Sequence, residues 1–408
     1  MKKKLLLVGN GMAGVYCIEQ LMKLNADMYE ITIIGSDPHP PYNRIRMTSS
    51  NLGKLSEQEK EWNPYSSYTW YQEHEITLYA GHQVVHIDYA AKKVQTDKGE
   101  HFVYDILILA TGSLPFMLPM PGVDKVGVIG FRDIRNLKTM LETSPIFRKA
   151  VVIGGGMLGL EAAKELMDLK LDVTVVHEHS HLMNRQLDAA AGDLLQKDLE
   201  EQGITFQLNK KCVSITGRRR AEGVRFHDGE ELQADLVVMA VGIKPNVGFV
   251  RNSPLAVHRG ILINDYMETS MPDVYALGEC AEHRGTTYGM EAPLFEQGML
   301  LARRLAGVDS IPYTGSVTSA RINIYGVDMF SAGVISEAPG IRVVQRLDEK
   351  NRVYKKVLIQ GRRVIGAVLY KDIADSTRLY QLILTGEDIG TWEDDMFFRE
   401  CYNRMNLI

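Results

Sequence analysis

One glycine pattern occurs twice in this chain, and each copy lies between a short apolar run and an amphipathic stretch. The first is Gly9-Asn10-Gly11-Met12-Ala13-Gly14, entered from the apolar residues 5–8 and followed by Val15, Ile18, Leu21 and Met22 at helical spacing. The second is Gly154-Gly155-Gly156-Met157-Leu158-Gly159, entered from residues 150–153 and continued by a helical stretch over 158–169. A further apolar run follows each helix, at 31–34 and at 172–176. The first of these runs ends at Gly35 and the turn Asp37-Pro38-His39-Pro40-Pro41. Strand, glycine turn, helix and strand make a βαβ unit, which requires a parallel sheet covered on both faces. The expected fold class is therefore α/β with two Rossmann-like dinucleotide-binding domains.

Each glycine answers a different physical need: a tight turn, close approach of backbone to a pyrophosphate, and close packing of helix on strand. The helix that follows supplies N–H donors and the positive end of its dipole. Glycine is 36 of the 408 residues, so a single copy arises by chance about 0.3 times in such a chain. Two copies, both in strand–helix–strand context, point to two bound dinucleotides. Hydride transfer between a nicotinamide and a flavin is the common reason to hold both. A carboxylate after the second strand would read an adenosine ribose. Ser36 and Asp37 stand there in the first unit, and Glu178 stands 24 residues after Gly154 in the second. Glu178 favours NADH over NADPH. His177, His179 and His181 surround it without acidic or cysteine partners at ligand spacing, so they read as surface or nucleotide-facing histidines, and no metal is expected.

The remaining landmarks are strand ends. Residues 106–110 run into Thr111-Gly112-Ser113, and Pro115, Pro119 and Pro121 then make a stiff connection. Residues 236–241 end in Gly242-Ile243-Lys244-Pro245-Asn246, and 274–277 end in Gly278-Glu279-Cys280. From about residue 313 the pattern changes to short β runs, at 322–325, 353–359 and 364–370, which suggests a small C-terminal α+β domain. The expected domains are 1–117 with 241–312, 118–240, and 313–408. Arg218-Arg219-Arg220 reads as a solvated hairpin tip in preference to a clamp for a 2′-phosphate. Cys280 reads as a small packed side chain.

A net charge of −5 offers no electrostatic reason to bind nucleic acid or an anionic membrane. The four cysteines, Cys17, Cys212, Cys280 and Cys401, include no C-x-x-C pair. That argues against a disulfide framework or thiolate metal site, and for a reducing, cytoplasmic compartment. Lys2-Lys3-Lys4 precedes only four apolar residues, short of the roughly 7–15 of a signal peptide core. No apolar run approaches the roughly 18 residues of a membrane span.

Several segments together resemble the two-dinucleotide flavoprotein reductases of the glutathione-reductase fold. They are Val8-Gly9-Asn10-Gly11-Met12-Ala13-Gly14, Pro41-Tyr42-Asn43-Arg44-Ile45, Leu109-Ala110-Thr111-Gly112-Ser113 and Arg185-Gln186-Leu187-Asp188, then residues 240–246, 277–283 and Ala292-Pro293-Leu294-Phe295-Glu296-Gln297. Over about residues 1–370 the chain is most similar to the flavoprotein part of the assimilatory NAD(P)H-nitrite reductase large subunit, with rubredoxin reductases as more distant kin. The resemblance implies that FAD is held by Gly9, Gly11, Ala13, Gly14, Ser36, Asp37, Arg44, Ala110, Thr111, Gly112, Arg132, Gly278, Glu279, Pro293 and Leu294. It likewise implies that NADH is held by Gly154, Gly156, Leu158, Gly159, Glu178, Val241 and Gly242. Arg44 and Arg132 would contact the flavin nucleotide, Glu279 its ribitol or pyrophosphate region, and the helix start at Pro293 its isoalloxazine.

Three departures stand out. Met47-Thr48-Ser49 replaces a stretch in which relatives carry lysine, and Asn323 also stands where lysine is expected. Those nitrite reductases continue into iron–sulfur and sirohaem domains, whereas this chain stops at Ile408, so it is not expected to reduce nitrite alone. The expected activity is an FAD-dependent NAD(P)H dehydrogenase, with NADH preferred to NADPH and no catalytic cysteine. Its electrons would pass to a separate acceptor protein of iron–sulfur, rubredoxin or sirohaem type. The alternatives are an NADH oxidase or disulfide reductase of the same fold, disfavoured by the lack of cysteine in residues 43–55, and a non-enzymatic dinucleotide-sensing interaction protein.

Overall fold

The computed structural model describes residues 2–39, 42 and 68–390. Arg44, Ser49 and the tail from Trp392 lie outside the described residues.

Leu5, Leu6, Leu7 and Val8 are all buried in β1 (Lys3–Val8), as an uninterrupted apolar strand must be when helices cover both faces of its sheet. α1 (Met12–Leu24) buries Val15, Ile18 and Leu21 at helical spacing. The chain continues through β2 (Tyr29–Gly35), α2 (Tyr68–Glu73) and β3 (Thr77–Ala80). A three-stranded antiparallel excursion over residues 84–103 then leads into β4 (Ile106–Leu109).

The same logic repeats. β5 (Val128–Gly130), α3 (Ile134–Thr143), β6 (Lys149–Ile153), α4 (Met157–Asp168), β7 (Asp172–Val176), α5 (Ala189–Glu200), β8 (Thr205–Gln207) and β9 (Leu236–Met239) follow in turn. Their strands form a parallel sheet in the order β8-β7-β6-β9-β5. Arg218 and Arg219 sit in the tip between the paired strands Cys212–Thr216 and Gly223–Phe226, the hairpin their spacing suggested. The chain then returns to the first sheet with β10 (Val274–Ala276), giving the parallel order β10-β4-β1-β2-β3, and α6 (Glu291–Leu305) packs along α1.

The C-terminal stretch forms an antiparallel sheet from β11 (Ser319–Ile324), β12 (Val327–Gly333), β13 (Ile341–Asp348), β14 (Val353–Gln360) and β15 (Arg363–Tyr370), in the order β11-β12-β15-β14-β13. α7 (Ser376–Thr385) buries Leu379 and Leu382 in its core. The chain divides into two compact units, Met1–Pro115 with Ile243–Ser316 and Phe116–Gly242 with Val317–Ile408. Within the second unit, α5 and the antiparallel sheet are joined through charged groups. Asp198 accepts the Tyr370 hydroxyl at 2.6 Å and pairs with Lys371 and Arg352. Asp188 accepts the Tyr354 hydroxyl at 2.8 Å and pairs with the buried Lys356 at 2.9 Å. Burial pushes the Asp198 carboxyl up, but Tyr370, Lys371 and Arg352 outweigh it and hold the group below the usual aspartate range.

Candidate functional site

The outer glycines of both patterns are dictated by the fold itself. Gly9 has φ +115°, and a Cβ there would lie 2.1 Å from the Ala110 carbonyl oxygen at the end of β4. Gly154 has φ +121°, and its Cβ would lie 2.3 Å from the Ala240 carbonyl oxygen at the end of β9. Gly14 and Gly159 press against the carbonyls of Gly9 and Gly154, where a Cβ would approach to 3.0 and 1.8 Å. The middle glycines differ. Gly11 and Gly156 have φ −108° and −89°, open to any residue, and a Cβ on either meets nothing within 4 Å. No contact among the described residues demands glycine there.

Those two residues are also the N-caps of α1 and α4, and neither helix has a side-chain cap. α3 and α5, by contrast, are capped by Asp133, which accepts from Asn136 N at 3.0 Å, and Asp188, which accepts from Ala191 N at 3.2 Å. Open space, uncapped N–H groups and the positive end of a helix dipole are what a pyrophosphate requires. The residues present fit a dinucleotide at each loop.

Around the first loop the structure gathers the ends of three neighbouring strands. Thr111 Oγ1 donates to the Asn246 carbonyl at 2.8 Å, and Ser113 Oγ donates to Glu279 Oε2 at 2.8 Å. Gly278 has φ +82°, and a Cβ there would lie 3.1 Å from that of Ala13. Thus Ala13, Gly112, Gly278 and Glu279 converge on the Gly9–Gly14 turn, and Pro293 and Leu294 are buried at the start of α6. Beyond β2, Ser36 is exposed, while Asp37 accepts His39 N and the Tyr42 hydroxyl, each at 3.0 Å. Burial raises the Asp37 carboxyl, and these hydrogen bonds more than offset it, leaving it below its ordinary value. Arg132 belongs to the second unit.

Around the second loop, Leu158 opens α4, and Val241 and Gly242 follow β9. Glu178, just past β7, is exposed, with Lys211 Nζ 3.7 Å away. Its neighbour His177 turns inward, and its Nδ1 accepts the Gly155 N–H at 3.1 Å. An accepting Nδ1 belongs to a neutral ring. Burial, helped by His179, lowers the His177 pKa and keeps it in that form. Sequence reasoning did not assign His177 this bond; the signal was the extra glycine at 155, whose Cβ would lie 2.9 Å from His177 Cγ. It also passed over Glu161, two residues beyond Gly159, which burial and the neighbouring Glu165 lift to about 7.

The described cysteines are all buried and free. Burial pushes Cys17 and Cys212 up to about 12 and also raises Cys280, whose Sγ lies 3.4 Å from the Leu109 carbonyl. Among the described residues no helix is long and apolar enough to cross a membrane.

Comparison with known proteins agrees with this geometry. Residues 3–297 match the pyridine nucleotide-disulphide oxidoreductases, and residues 319–387 match the rubredoxin NAD+ reductase C-terminal domain. The chain is 48% identical to a nitrite reductase [NAD(P)H] of Bacillus subtilis, over 95% of this chain and 48% of that one. It is 47% identical to the assimilatory nitrate reductase electron transfer subunit of the same organism, over 95% of this chain and 50% of that one. It thus spans about half the length of these curated relatives. Among solved structures, the ferredoxin reductase for the CYP199A2 system from Rhodopseudomonas palustris superposes with a TM-score of 0.82 at 26% identity, covering 92% of this chain and 93% of that one. The chain belongs to the pyridine nucleotide-disulphide oxidoreductase family.

Proposed function

We propose that this chain is an FAD-dependent NADH reductase that passes electrons to a separate redox protein. The observation that carries the reading is the pair of glycine loops whose middle glycines face open space beneath uncapped helix N-termini. In this reading, residues 1–117 with 241–312 hold FAD, residues 118–240 hold NADH, and residues 313–408 form the third domain. Bound FAD supplies acceptance of a hydride as two electrons and their release one at a time. The amides of the first turn of α1 bind the flavin nucleotide's pyrophosphate, and Glu279 accepts hydrogen bonds from its hydroxyls. Arg44 completes the FAD set. On the second loop, Glu178 accepts from the adenosine ribose and repels a 2′-phosphate.

The three described thiols are buried and held protonated, which makes them poor electron carriers, and no C-x-x-C occurs in the chain. In this reading a separate acceptor protein of iron–sulfur, rubredoxin or sirohaem type receives the electrons. A relative named as an electron transfer subunit supports that reading. Scarce cysteine supports a cytoplasmic site of action. Anaerobic NADH should bleach the FAD of the purified protein, and candidate carriers should then sustain turnover faster than dioxygen or disulfides. A protein that cannot be loaded with FAD, or one that turns over fastest with dioxygen or a disulfide, overturns the proposal.

A further inference from the structure

A buried amide on α6 ties the Gly278–Glu279 turn to a polar chain that runs outward to the surface. Gln297 is only 1% exposed, and its Oε1 accepts the Gly278 N–H at 2.9 Å. Gly278 opens the single 3-10 turn Gly278–Cys280, so its N–H has no partner inside that turn and needs one outside it. With Oε1 committed, the Gln297 amide has only its NH2 group left to give, and that group faces the Tyr313 hydroxyl, itself buried. That hydroxyl lies 2.7 Å from Ser316 Oγ, and Ser316 Oγ donates to the exposed carboxylate of Glu296. Ser316 is held from its backbone side as well, its N–H donating to the Tyr288 hydroxyl at 3.3 Å.

The direction of this chain is forced at both ends. A backbone N–H can only donate and an ionised carboxylate can only accept, so both intervening hydroxyls donate toward Glu296. The amide of Gln297 is therefore locked against flipping, and its oxygen stays on Gly278.

We infer that Gln297 is a positioning residue for the flavin nucleotide. Through Tyr313, Ser316 and Glu296 it holds the turn that presents Glu279, which rests on the first loop being the FAD site. The side chain itself contacts Gly278 and Tyr313 and acts on the nucleotide only through the turn.

The test measures the FAD dissociation constant and the visible circular dichroism of the bound flavin, on the full chain. Gln297→Met keeps the volume and removes the hydrogen bond to Gly278; the dissociation constant should rise about tenfold, with an altered flavin dichroism. Gln297→Glu should restore both at pH 6, where a buried carboxyl is protonated and copies the amide's donor and acceptor, and should lose them by pH 9. Tyr313→Phe, which keeps the ring packing, should weaken FAD about threefold. A parent protein that takes up no FAD overturns the proposed function and this inference together. A parent that binds FAD, with Gln297→Met matching its affinity and dichroism, overturns this inference alone. Should Gln297→Met not fold, a Gln297→Glu variant with parent-like affinity and dichroism at both pH 6 and pH 9 overturns it equally.

Discussion

In the first glycine loop the residue between the leading glycines is Asn10, and the neighbouring strand ends in Gly35; in the second, the intervening residue is Gly155 and the strand runs into His177. A Cβ on Gly35 would lie 2.6 Å from that of Asn10, and a Cβ on Gly155 would lie 2.9 Å from His177 Cγ. Each loop has space for one side chain at this point. The first fills it from the loop, the second from the strand end. The choice has chemical consequences. Asn10 accepts the Tyr71 hydroxyl at 2.7 Å and carries no titratable group, whereas the His177 ring must stay neutral to accept the Gly155 N–H. Two residues past the third glycine the contrast repeats. α1 carries Tyr16, stacked at a tilt on Phe295 with centroids 4.6 Å apart, and α4 carries the half-buried Glu161. The shared glycines set the backbone of both loops, and at these two points the second loop packs a titratable ring and carboxyl where the first packs an amide and a phenol.

The largest effects should separate the two loops by ligand. Gly11→Val and Gly156→Val place a side chain in space that is open among the described residues, so the folded state should lose well under about 1 kcal/mol beyond the change of N-cap residue. Ligand affinity should fall by at least about 100-fold, because the added methyls occupy the pyrophosphate position. Gly11→Val should purify without flavin. Gly156→Val should keep its flavin and fail to bleach with NADH. A reversed pattern, read by visible absorbance and anaerobic NADH titration, would exchange the two assignments.

Much of this architecture was legible beforehand, for identifiable reasons. Runs such as Leu5–Val8, buried on both faces, and glycines demanded by backbone clashes leave local marks that no distant contact can erase. The reciprocal filling at Asn10 and His177 left a weaker mark, since it depends on which strand end packs against which loop. Asn323 shows a different limit. It stands where lysine was expected, yet its Nδ2 donates to Asp328 at 2.7 Å and its Oδ1 accepts from Gly326, so it closes the turn between β11 and β12. Glu161 escaped notice because an acid on an amphipathic helix looks solvated until the neighbouring packing is known.

Glu161 offers the next sharpest contrast. Its folded-state pKa of about 7 stands above the usual glutamate value, so the folded protein holds this proton more tightly than the unfolded chain. As pH rises from about 4.5 to 7 the unfolded chain ionises first, and stability is lost across that window. Glu161→Gln removes the titration. It should be close to neutral at pH 4.5 and should stabilise by about 2 kcal/mol at pH 8. Urea unfolding at the two pH values decides it, and an equal difference at both would mean that Glu161 is solvated. Tyr16→Phe, at the matching place in α1, should show no such pH dependence.

Nucleotide choice should respond by about a decade. Glu178 is exposed and partly offset by Lys211 at 3.7 Å, so its charge acts through solvent and cannot impose an absolute barrier to a 2′-phosphate. Glu178→Ala should narrow the ratio of kcat/KM for NADH over NADPH about tenfold, mostly by improving NADPH. Lys211→Ala should widen it. A parent enzyme that uses NADPH as well as NADH would contradict the role given to Glu178.

The smallest effect belongs to the cysteine of the Gly278–Cys280 turn. Cys280 sits in the same short turn as Gly278 and Glu279, fully buried, with its thiol proton directed at the Leu109 and Leu277 carbonyls at 3.4 and 3.3 Å. Those contacts are to acceptors, and burial raises the thiol above its ordinary pKa, so the thiolate needed for disulfide chemistry is suppressed at neutral pH. A serine hydroxyl at this place can donate to the same carbonyls with a slightly smaller side chain. Cys280→Ser should therefore keep its flavin and reduce it with NADH within about threefold of the parent rate. A loss of several decades with flavin still bound would show that the thiol takes part in the chemistry, and would move this chain toward the disulfide reductases of its family.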